Sequence, residues 1–200
     1  STSSAASDVY KRQPFASLTG SGMHLHLSLY DNQGENLLAP DNSKKLNQAV
    51  SGILDLMPES MIFCAPHANS YHRFEENSYA PINATWGKDN RTTALRIPSG
   101  NEDSTRIEHR LSGADANPYL VMAMLISGFL HGFEEDPEIP PETVGNGYDD
   151  GFRPLPQSWE AALDLFQNKS RLSSILGQEF STLYRQLKFC LLYTSPSPRD

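Results

Sequence analysis

The alternating stretch from Met23 to Tyr30 constrains the fold of this chain more than any other feature. Apolar residues at positions 23, 25, 27 and 29 alternate with His24, His26, Ser28 and Tyr30. This alternation predicts a strand that turns one face toward a core. On the other face two imidazoles and a hydroxyl would lie in a row, about 7 Å apart. Taken alone, the stretch fits an ordinary strand with two surface histidines equally well.

A second stretch, Thr105 to Leu111, alternates in the same way. Three charged side chains fall on one face and three others on the opposite face; they are Arg106, Glu108 and Arg110, then Ile107, His109 and Leu111. A solvated charged face is the usual explanation for such a run. The second strand nevertheless places a carboxylate, which can bind a divalent cation, on the same face as two arginines.

Arginines are concentrated in one part of an otherwise acidic chain. The formal net charge is -8, yet five arginines lie between positions 73 and 110, because Arg73, Arg91 and Arg96 precede the two in the second strand. The planar guanidinium pairs bidentately with carboxylates and phosphates. Arginines together with histidine and carboxylate ligands for a metal are typical of phosphoryl transfer.

Several motifs follow one another in the order and spacing of one protein family. They are Gly20–Ser28, Asn69–Arg73, Trp86–Gly87, Asn90–Pro98, Arg106–Arg110 and Asn117–Leu120. The set resembles the glutamine synthetases over roughly residues 15–188. Because the motifs are separate and in register, the resemblance is specific.

One branch of that family is most similar. The segments Arg73–Pro81, Glu108–Arg110 and Gly113–Pro118 look most like the branch that joins glutamate to amines such as putrescine. In the family reaction ATP phosphorylates the side-chain carboxylate of glutamate, and an amine then displaces phosphate. The resemblance therefore implies an ATP-dependent glutamate–amine ligase. Ordinary glutamine synthesis from ammonia and a non-catalytic structural role are the alternatives.

The resemblance also implies a fold and a domain organisation. It predicts an α+β fold, with antiparallel strands forming an active-site half-barrel and helices packed outside. Residues 14–189 would be part of the catalytic domain, and residues 1–13 and 190–200 resemble translated sequencing-adapter sequence. Since the family's proteins are much longer, we expect a piece of a larger protein that assembles as a homo-oligomer, by resemblance a ring of twelve subunits. This piece alone would be inactive.

Each candidate site residue takes its role from the resemblance. His24 and Glu108 match ligands of the Mg²⁺ or Mn²⁺ ion nearest the ATP phosphates. The matches to nucleotide-binding residues are His26, Ser28, Arg96 and Arg106. The matches to glutamate-binding residues are Gly20, Arg73 and Arg110. Arg91 matches an arginine that acts on the transferring phosphoryl group, and Tyr79 occupies the catalytic position next to the acceptor.

Two positions depart from the family pattern. Thr19 replaces an asparagine that often contacts glutamate. Tyr79 replaces a glutamate that binds ammonium and takes its proton in the ammonia-using members. A phenol is a poor base at neutral pH. The second departure favours a preformed amine over ammonia as the acceptor.

Composition excludes some classes of partner. The acidic balance argues against binding to nucleic acid or to an anionic membrane, and no apolar run is long enough for a membrane span. With the two ends set aside, Cys64 is the one cysteine, which suits a reducing cytoplasm. We therefore expect a cytoplasmic protein, and the family resemblance implies that its substrates are glutamate and a small amine.

Local patterns predict the helices. Apolar spacing indicates a helix from Lys44 to Met57 that stops at Pro58. Asn117, followed by a proline, predicts the start of a helix that runs to about Phe133. Ser158 should cap the next helix, residues 170–187 should form one or two more with a break at Gly177, and residues 136–156 should form a surface excursion or lid.

Overall fold

The computed structural model describes residues 20–167 and 170–194. Thr19, residues 1–13 and residues 195–200 therefore lie outside the described residues. The strands are β1 (Leu25–Leu27), β2 (Trp86–Lys88), β3 (Leu95–Ile97) and β4 (Ile107–His109). The α-helices are α1 (Ser43–Cys64), α2 (Pro118–Glu135), α3 (Trp159–Gln167), α4 (Arg171–Leu176) and α5 (Gln178–Thr194). The 3-10 helices are Pro40–Asn42, Ala68–Arg73 and Glu102–Ser104.

The alternation around β1 is confirmed. Leu27 is buried, while His24, His26 and Ser28 are exposed. The strand itself is shorter than the pattern, but isolated antiparallel bridges pair Gly22 with Gly113 before it and Tyr30 with Asn36 after it. The apolar face contributes to the same core as the helices, so the polar face is left free to line a site.

The four strands form one sheet in the order β1-β4-β3-β2. The β1–β4 and β4–β3 pairs are antiparallel. The expectation of antiparallel strands throughout was wrong, because β2 and β3 are parallel. Each of these strands spans only about 10 Å, so the connection Asp89–Ala94 is long enough to return the chain to the same end. The fold is α+β with a mixed sheet that is not closed.

Helix α1 continues through Pro58 to Cys64, so the predicted stop at that proline was wrong. A proline inside a helix removes one backbone hydrogen bond and costs about 3 kcal/mol. Met57, Met61 and Ile62 on either side of it are fully buried. Burial of three such side chains contributes about 1.5–3 kcal/mol each, which outweighs that cost and keeps the segment helical.

Helix α2 begins as predicted. The Asn117 side chain accepts hydrogen bonds from the backbone N–H groups of Tyr119 and Leu120. The helix then packs against α1 with almost no space between the two backbones. A Cβ atom added at Gly132 would lie 1.9 Å from the carbonyl oxygen of Gln48, and one added at Gly52 would lie 2.2 Å from that of Gly128. Glycine is therefore required at this crossing.

The helices near the C-terminus also follow local signals. The Ser158 hydroxyl accepts from the N–H of Ala161, and that of Ser170 accepts from Ser173. Gly177, with φ at +92°, separates α4 from α5. Helix α5 extends to Thr194, so the segment predicted to begin a foreign tail at residue 190 starts within a helix.

The excursion at residues 136–156 is hydrogen-bonded to β2 and to the loop that follows it. The Trp86 indole donates to the carbonyl oxygen of Pro140, and the Asn90 amide donates to those of Thr143 and Gly145. The segment therefore supports the loops around the sheet. None of the helices in the described part of the chain is long and apolar enough to cross a membrane.

Candidate active site

The strand register assembles a polar row across the sheet. Glu108 on β4 is the Cα partner of His26 on β1 and of Arg96 on β3. Cross-strand partners point to the same face of a sheet. The pairing therefore places an imidazole, a carboxylate and a guanidinium side by side on the face that the helices do not cover.

Glu108 is the centre of this row. Its Oε1 accepts from Arg110 Nη1 at 2.7 Å, and its Oε2 accepts from Arg96 Nη1 at 2.8 Å. The side chain is only 5 % exposed. Burial alone would raise the pKa of Glu108, but the hydrogen bond from Arg96 and the charge of Arg110 outweigh it, so the pKa is lowered. Glu108 is therefore an anion at neutral pH.

His24 faces the same carboxylate. Its Nδ1 lies 3.1 Å from Oε1 of Glu108. Burial, followed by the charge of Arg110, lowers the pKa of His24, and the Glu108 carboxylate only partly offsets this. The ring is therefore neutral at pH 7, which is the state in which histidine can bind a metal.

Seven side chains line one open cleft of about 460 Å³ above this row; they are His24, His26, Tyr79, Arg91, Arg96, Glu108 and Arg110. Every one of them is a residue that the sequence singled out. The cleft combines three guanidinium groups with one buried carboxylate. The Arg91 side chain is exposed and makes no ion pair with the residues that the structure describes, so it is available to an anionic ligand.

Two further predicted arginines lie next to the cleft. Arg106 Nε donates to Nδ1 of His26 at 3.2 Å. Arg73 is buried and donates to the carbonyl oxygen of Leu111. A Cβ atom at Gly22 would lie 2.9 Å from Arg73 Nη1 and 3.3 Å from His24 Nε2. A glycine at position 22 thus lets the backbone approach both side chains.

Gly20 and Ser28 are not among the lining residues in the described part of the chain. Gly20 is the first described residue and is half-buried. The Ser28 hydroxyl lies 3.5 Å from the carbonyl oxygen of Thr105. Their predicted contacts to glutamate and nucleotide stay predictions.

A strained loop holds Tyr79 at the rim of the cleft. Asn77 and Tyr79 have φ of +62° and +59°, a conformation that costs an L-residue about 1–2 kcal/mol. The Ser78 hydroxyl is 2.7 Å from the carbonyl oxygen of Glu75, and Tyr148 donates its hydroxyl proton to the carbonyl oxygen of Ala80. These bonds offset the strain. Tyr79 is 64 % exposed, so a ligand in the cleft could cover it.

The donor set fits a divalent cation only in part. His24 and Glu108 supply one nitrogen and one carboxylate, a combination suited to Mg²⁺ or Mn²⁺. The described residues contain no group of three His, Cys, Asp or Glu side chains that could hold a metal. The remaining ligands would have to come from phosphate, water or residues outside the described part.

Two residues of the site were missed in the sequence. Asp89 accepts from Arg96 Nη2 at 2.9 Å, and its φ of +50° marks the turn after β2. No local pattern distinguishes it from other loop aspartates. His109 lies beneath the site on the core face, fully buried. Burial, then the charges of His24 and Arg73, lowers the pKa of His109 to about 3. Its place in the alternation predicted its face, but not that both ring nitrogens lack a hydrogen-bond partner among the described residues.

Residues 7–190 match the family model described as "Glutamine synthetase, catalytic domain". The chain belongs to the glutamine synthetase family.

Three known proteins illustrate the similarity. Gamma-glutamylputrescine synthetase PuuA of Escherichia coli K12 is 42% identical over 182 residues, which are 90% of this chain and 39% of PuuA. Gamma-glutamylethanolamide synthetase GlnA4 of Streptomyces coelicolor is 39% identical over 172 residues, 85% of this chain and 37% of GlnA4. A solved GmaS/ADP complex superposes with a TM-score of 0.80 at 26% identity, covering 94% of this chain and 47% of GmaS. The chain spans about two fifths of the curated relatives' length.

Proposed function

We propose that the complete protein uses ATP to join glutamate to a preformed primary amine, putrescine or a similar one. The observation that carries this proposal is that Tyr79 lines the same cleft as Arg91, Arg110 and Glu108. Two similar proteins are named for making γ-glutamyl amides of putrescine and of ethanolamine, and a solved relative is an ADP complex. Both facts support a ligase whose acceptor is an amine.

In the first step, an oxygen of the glutamate side-chain carboxylate attacks the γ-phosphorus of ATP, and ADP leaves. Charge spreads over the equatorial oxygens of the transferring group. Arg91, exposed in the cleft, would hydrogen-bond to these oxygens as that charge develops. Arg96 and Arg106 would bind the remaining phosphates, while His26 and Ser28 would contact the nucleotide.

His24 and Glu108 would hold the divalent cation. A bound Mg²⁺ or Mn²⁺ would offset negative charge on the phosphate oxygens. Burial lowers the pKa of His24, which keeps its ring neutral and able to bind the metal. Arg96 and Arg110 keep Glu108 ionised and fix both of its oxygens.

Buried arginines would hold the glutamate substrate. Arg73 and Arg110 are each 4 % exposed, and each guanidinium is fixed by a backbone carbonyl oxygen, Leu111 for the first and Arg91 for the second. A fixed guanidinium loses little freedom when it pairs with a carboxylate. Gly20 would add a backbone contact.

In the second step the unprotonated amine nitrogen attacks the acyl carbon of the glutamyl phosphate, the bond from that carbon to the phosphate oxygen breaks, and the leaving phosphate accepts the proton that the nitrogen loses. Ammonium needs a negative side chain to hold and deprotonate it, which Tyr79 does not provide. An aliphatic diamine brings methylene groups whose burial contributes about 0.8 kcal/mol each, and the exposed Tyr79 ring offers them an apolar wall. A preformed amine therefore depends less on a carboxylate at this position.

Further strands outside this chain would extend the four-stranded sheet toward a half-barrel and bring the missing metal ligands. A homo-oligomer in the cytoplasm, by resemblance a ring of twelve subunits, belongs to the same proposal.

Phosphate release by the complete protein tests the choice of acceptor. We expect kcat/KM for putrescine to exceed that for ammonia at least about tenfold, a difference of about 1.4 kcal/mol. Tyr79→Glu should lower the ratio of the two kcat/KM values, putrescine over ammonia, because it restores a carboxylate that holds ammonium. Tyr79→Phe keeps the ring and is the matched control, so it should leave the ratio nearly unchanged. If ammonia equalled every amine tested, ordinary glutamine synthesis would replace this proposal.

A further inference from the structure

Tyr148, a residue of the excursion, contacts the loop that holds Tyr79 at the rim of the cleft. Its side chain is buried, with 7 % exposed. The Tyr148 hydroxyl donates to the carbonyl oxygen of Ala80 at 3.2 Å. Burial raises the pKa of Tyr148, and hydrogen bonds from the Ser78 hydroxyl and the backbone N–H of Tyr79 partly offset this rise. One phenol oxygen therefore lies within hydrogen-bonding reach of three successive residues of the loop.

The loop needs a partner outside itself because its backbone is strained. Asn77 and Tyr79 both have positive φ, which L-residues rarely adopt. Ser78 supplies local hydrogen bonds, such as the one from its hydroxyl to the carbonyl oxygen of Glu75. Bonds between neighbours do not fix the loop relative to the sheet. The bond from Tyr148 joins residues 68 positions apart in the sequence, so it ties the loop to the rest of the fold.

The segment that carries Tyr148 is itself held in place. The backbone N–H of Gly147 donates to the Thr92 hydroxyl at 2.8 Å, and its carbonyl oxygen accepts from the Asn83 side chain at 3.0 Å. A Cβ atom at Gly147 would lie 2.6 Å from the carbonyl oxygen of Thr92, so the two backbones are in close contact. Thr92 follows Arg91, another residue that lines the cleft. Tyr148 therefore extends from a fixed support toward the loop.

We propose that Tyr148 is a positioning residue for the acceptor amine, because it holds the loop that places the Tyr79 ring beside the methylene groups of the amine. This inference rests on the proposed function, in which Tyr79 lies next to the acceptor. Tyr148 is not among the lining residues of the cleft in the described part of the chain, so it would act through Tyr79 without touching the substrate. Removal of its hydroxyl should therefore weaken the use of the amine.

The variant Tyr148→Phe of the complete protein tests this role, because it removes the hydroxyl and keeps the ring. We expect kcat/KM for the amine to fall about fivefold, as for the loss of one buried hydrogen bond, while KM for ATP stays within about twofold of the wild type. In a Tyr79→Ala background the same substitution should have no further effect on the amine, because the ring that it positions is absent.

The variant Tyr184→Phe is the matched control. The Tyr184 hydroxyl also donates to a backbone carbonyl oxygen at 3.2 Å, that of Ile62 in helix α1, and it does not line the cleft. Tyr184→Phe removes the same kind of bond, so it should lower the stability of the protein to a similar extent. It should leave kcat/KM for the amine unchanged.

Amide hydrogen exchange measures the hold on the loop without any substrate. The loop contains protected amides, since the N–H of Ser78 donates to Glu75 and that of Ala80 donates to the Ser78 hydroxyl. Exchange across residues 74–82, followed by mass spectrometry, should be at least about fivefold faster in Tyr148→Phe than in the wild type. Tyr184→Phe should not change it.

Three results would overturn the proposal. Unchanged exchange across residues 74–82 in Tyr148→Phe would mean that the hydroxyl does not hold the loop. Faster exchange with an unchanged kcat/KM for the amine would mean that the hold on the loop does not affect the acceptor. An equal loss of kcat/KM in Tyr184→Phe would mean that lower stability alone causes it. Preference for ammonia would instead overturn the proposed function, and the exchange measurement would still decide whether Tyr148 holds the loop.

Discussion

Replacement of His109 by leucine should stabilise the 200-residue chain and reduce its sensitivity to acid. His109 is fully buried between Leu25 and Leu95 on the neighbouring strands, and both ring nitrogens lack a partner among the described residues. A buried polar group without a hydrogen bond costs about 1–3 kcal/mol. Leucine has a similar volume and removes that cost, so the variant should gain about this amount at pH 7.

The pH dependence follows from the lowered pKa. Burial holds the pKa of His109 at about 3 in the folded chain, against about 6.5 when unfolded. The unfolded state therefore binds a proton first as the pH falls. The titration of His109 therefore leaves the free energy of unfolding unchanged above pH 6.5 and lowers it as the pH falls from 6.5 toward 3. Each pH unit is worth about 1.4 kcal/mol, so the loss between pH 7 and pH 5 is about 2 kcal/mol.

Urea unfolding, followed by the fluorescence of Trp86 and Trp159, measures both the gain in stability at pH 7 and the dependence of stability on pH. The fall in unfolding free energy from pH 7 to pH 5 should be about 2 kcal/mol smaller in His109→Leu than in the wild type. Groups common to both proteins, such as His24, cancel in this difference. His109→Gln is the matched control, because it removes the titration but keeps a buried polar group. It should lose the pH effect without the gain at pH 7.

A wild-type fall equal to that of His109→Leu would refute the reasoning. It would mean that His109 is protonated in the folded state, or that a partner outside the described residues satisfies it.

Three further predictions use the same structure. In the complete protein Arg91→Ala should lower kcat far more than it raises KM for ATP, and Arg91→Lys should restore little of the lost kcat. Weaker ATP binding at unchanged kcat would contradict a role of Arg91 in the transition state. Gly132→Ala should destabilise the 200-residue chain by about 2 kcal/mol or more, whereas Ile126→Ala on the exposed side should change its unfolding free energy little. A urea unfolding midpoint of Gly132→Ala equal to that of the wild type would be inconsistent with the close contact between the two helices. The 200-residue chain itself should release no phosphate from ATP with glutamate, Mg²⁺ and a panel of amines. Turnover at about 1 s⁻¹ would instead show that its two candidate metal ligands suffice.

Features with a local cause were readable from the sequence. The alternation around Leu27, the cap at Asn117 and the break at Gly177 were all predicted and are all present. Each depends on residues within a few positions, through side-chain periodicity, a capping hydrogen bond or the backbone freedom of glycine. The glutamine synthetase family was also identifiable from the sequence, because several motifs occur in one order.

Features that depend on distant residues were decided only by the tertiary structure. Pro58 lies inside α1 because burial of the residues around it outweighs a local rule. The parallel pairing of β2 with β3 depends on the path of the connection between them. Glu108 joins two arginines and a histidine because the strand register brings β1, β3 and β4 together. The local sequence predicts which face of an element is apolar, but long-range packing decides what that face contacts and whether a group such as His109 finds a partner.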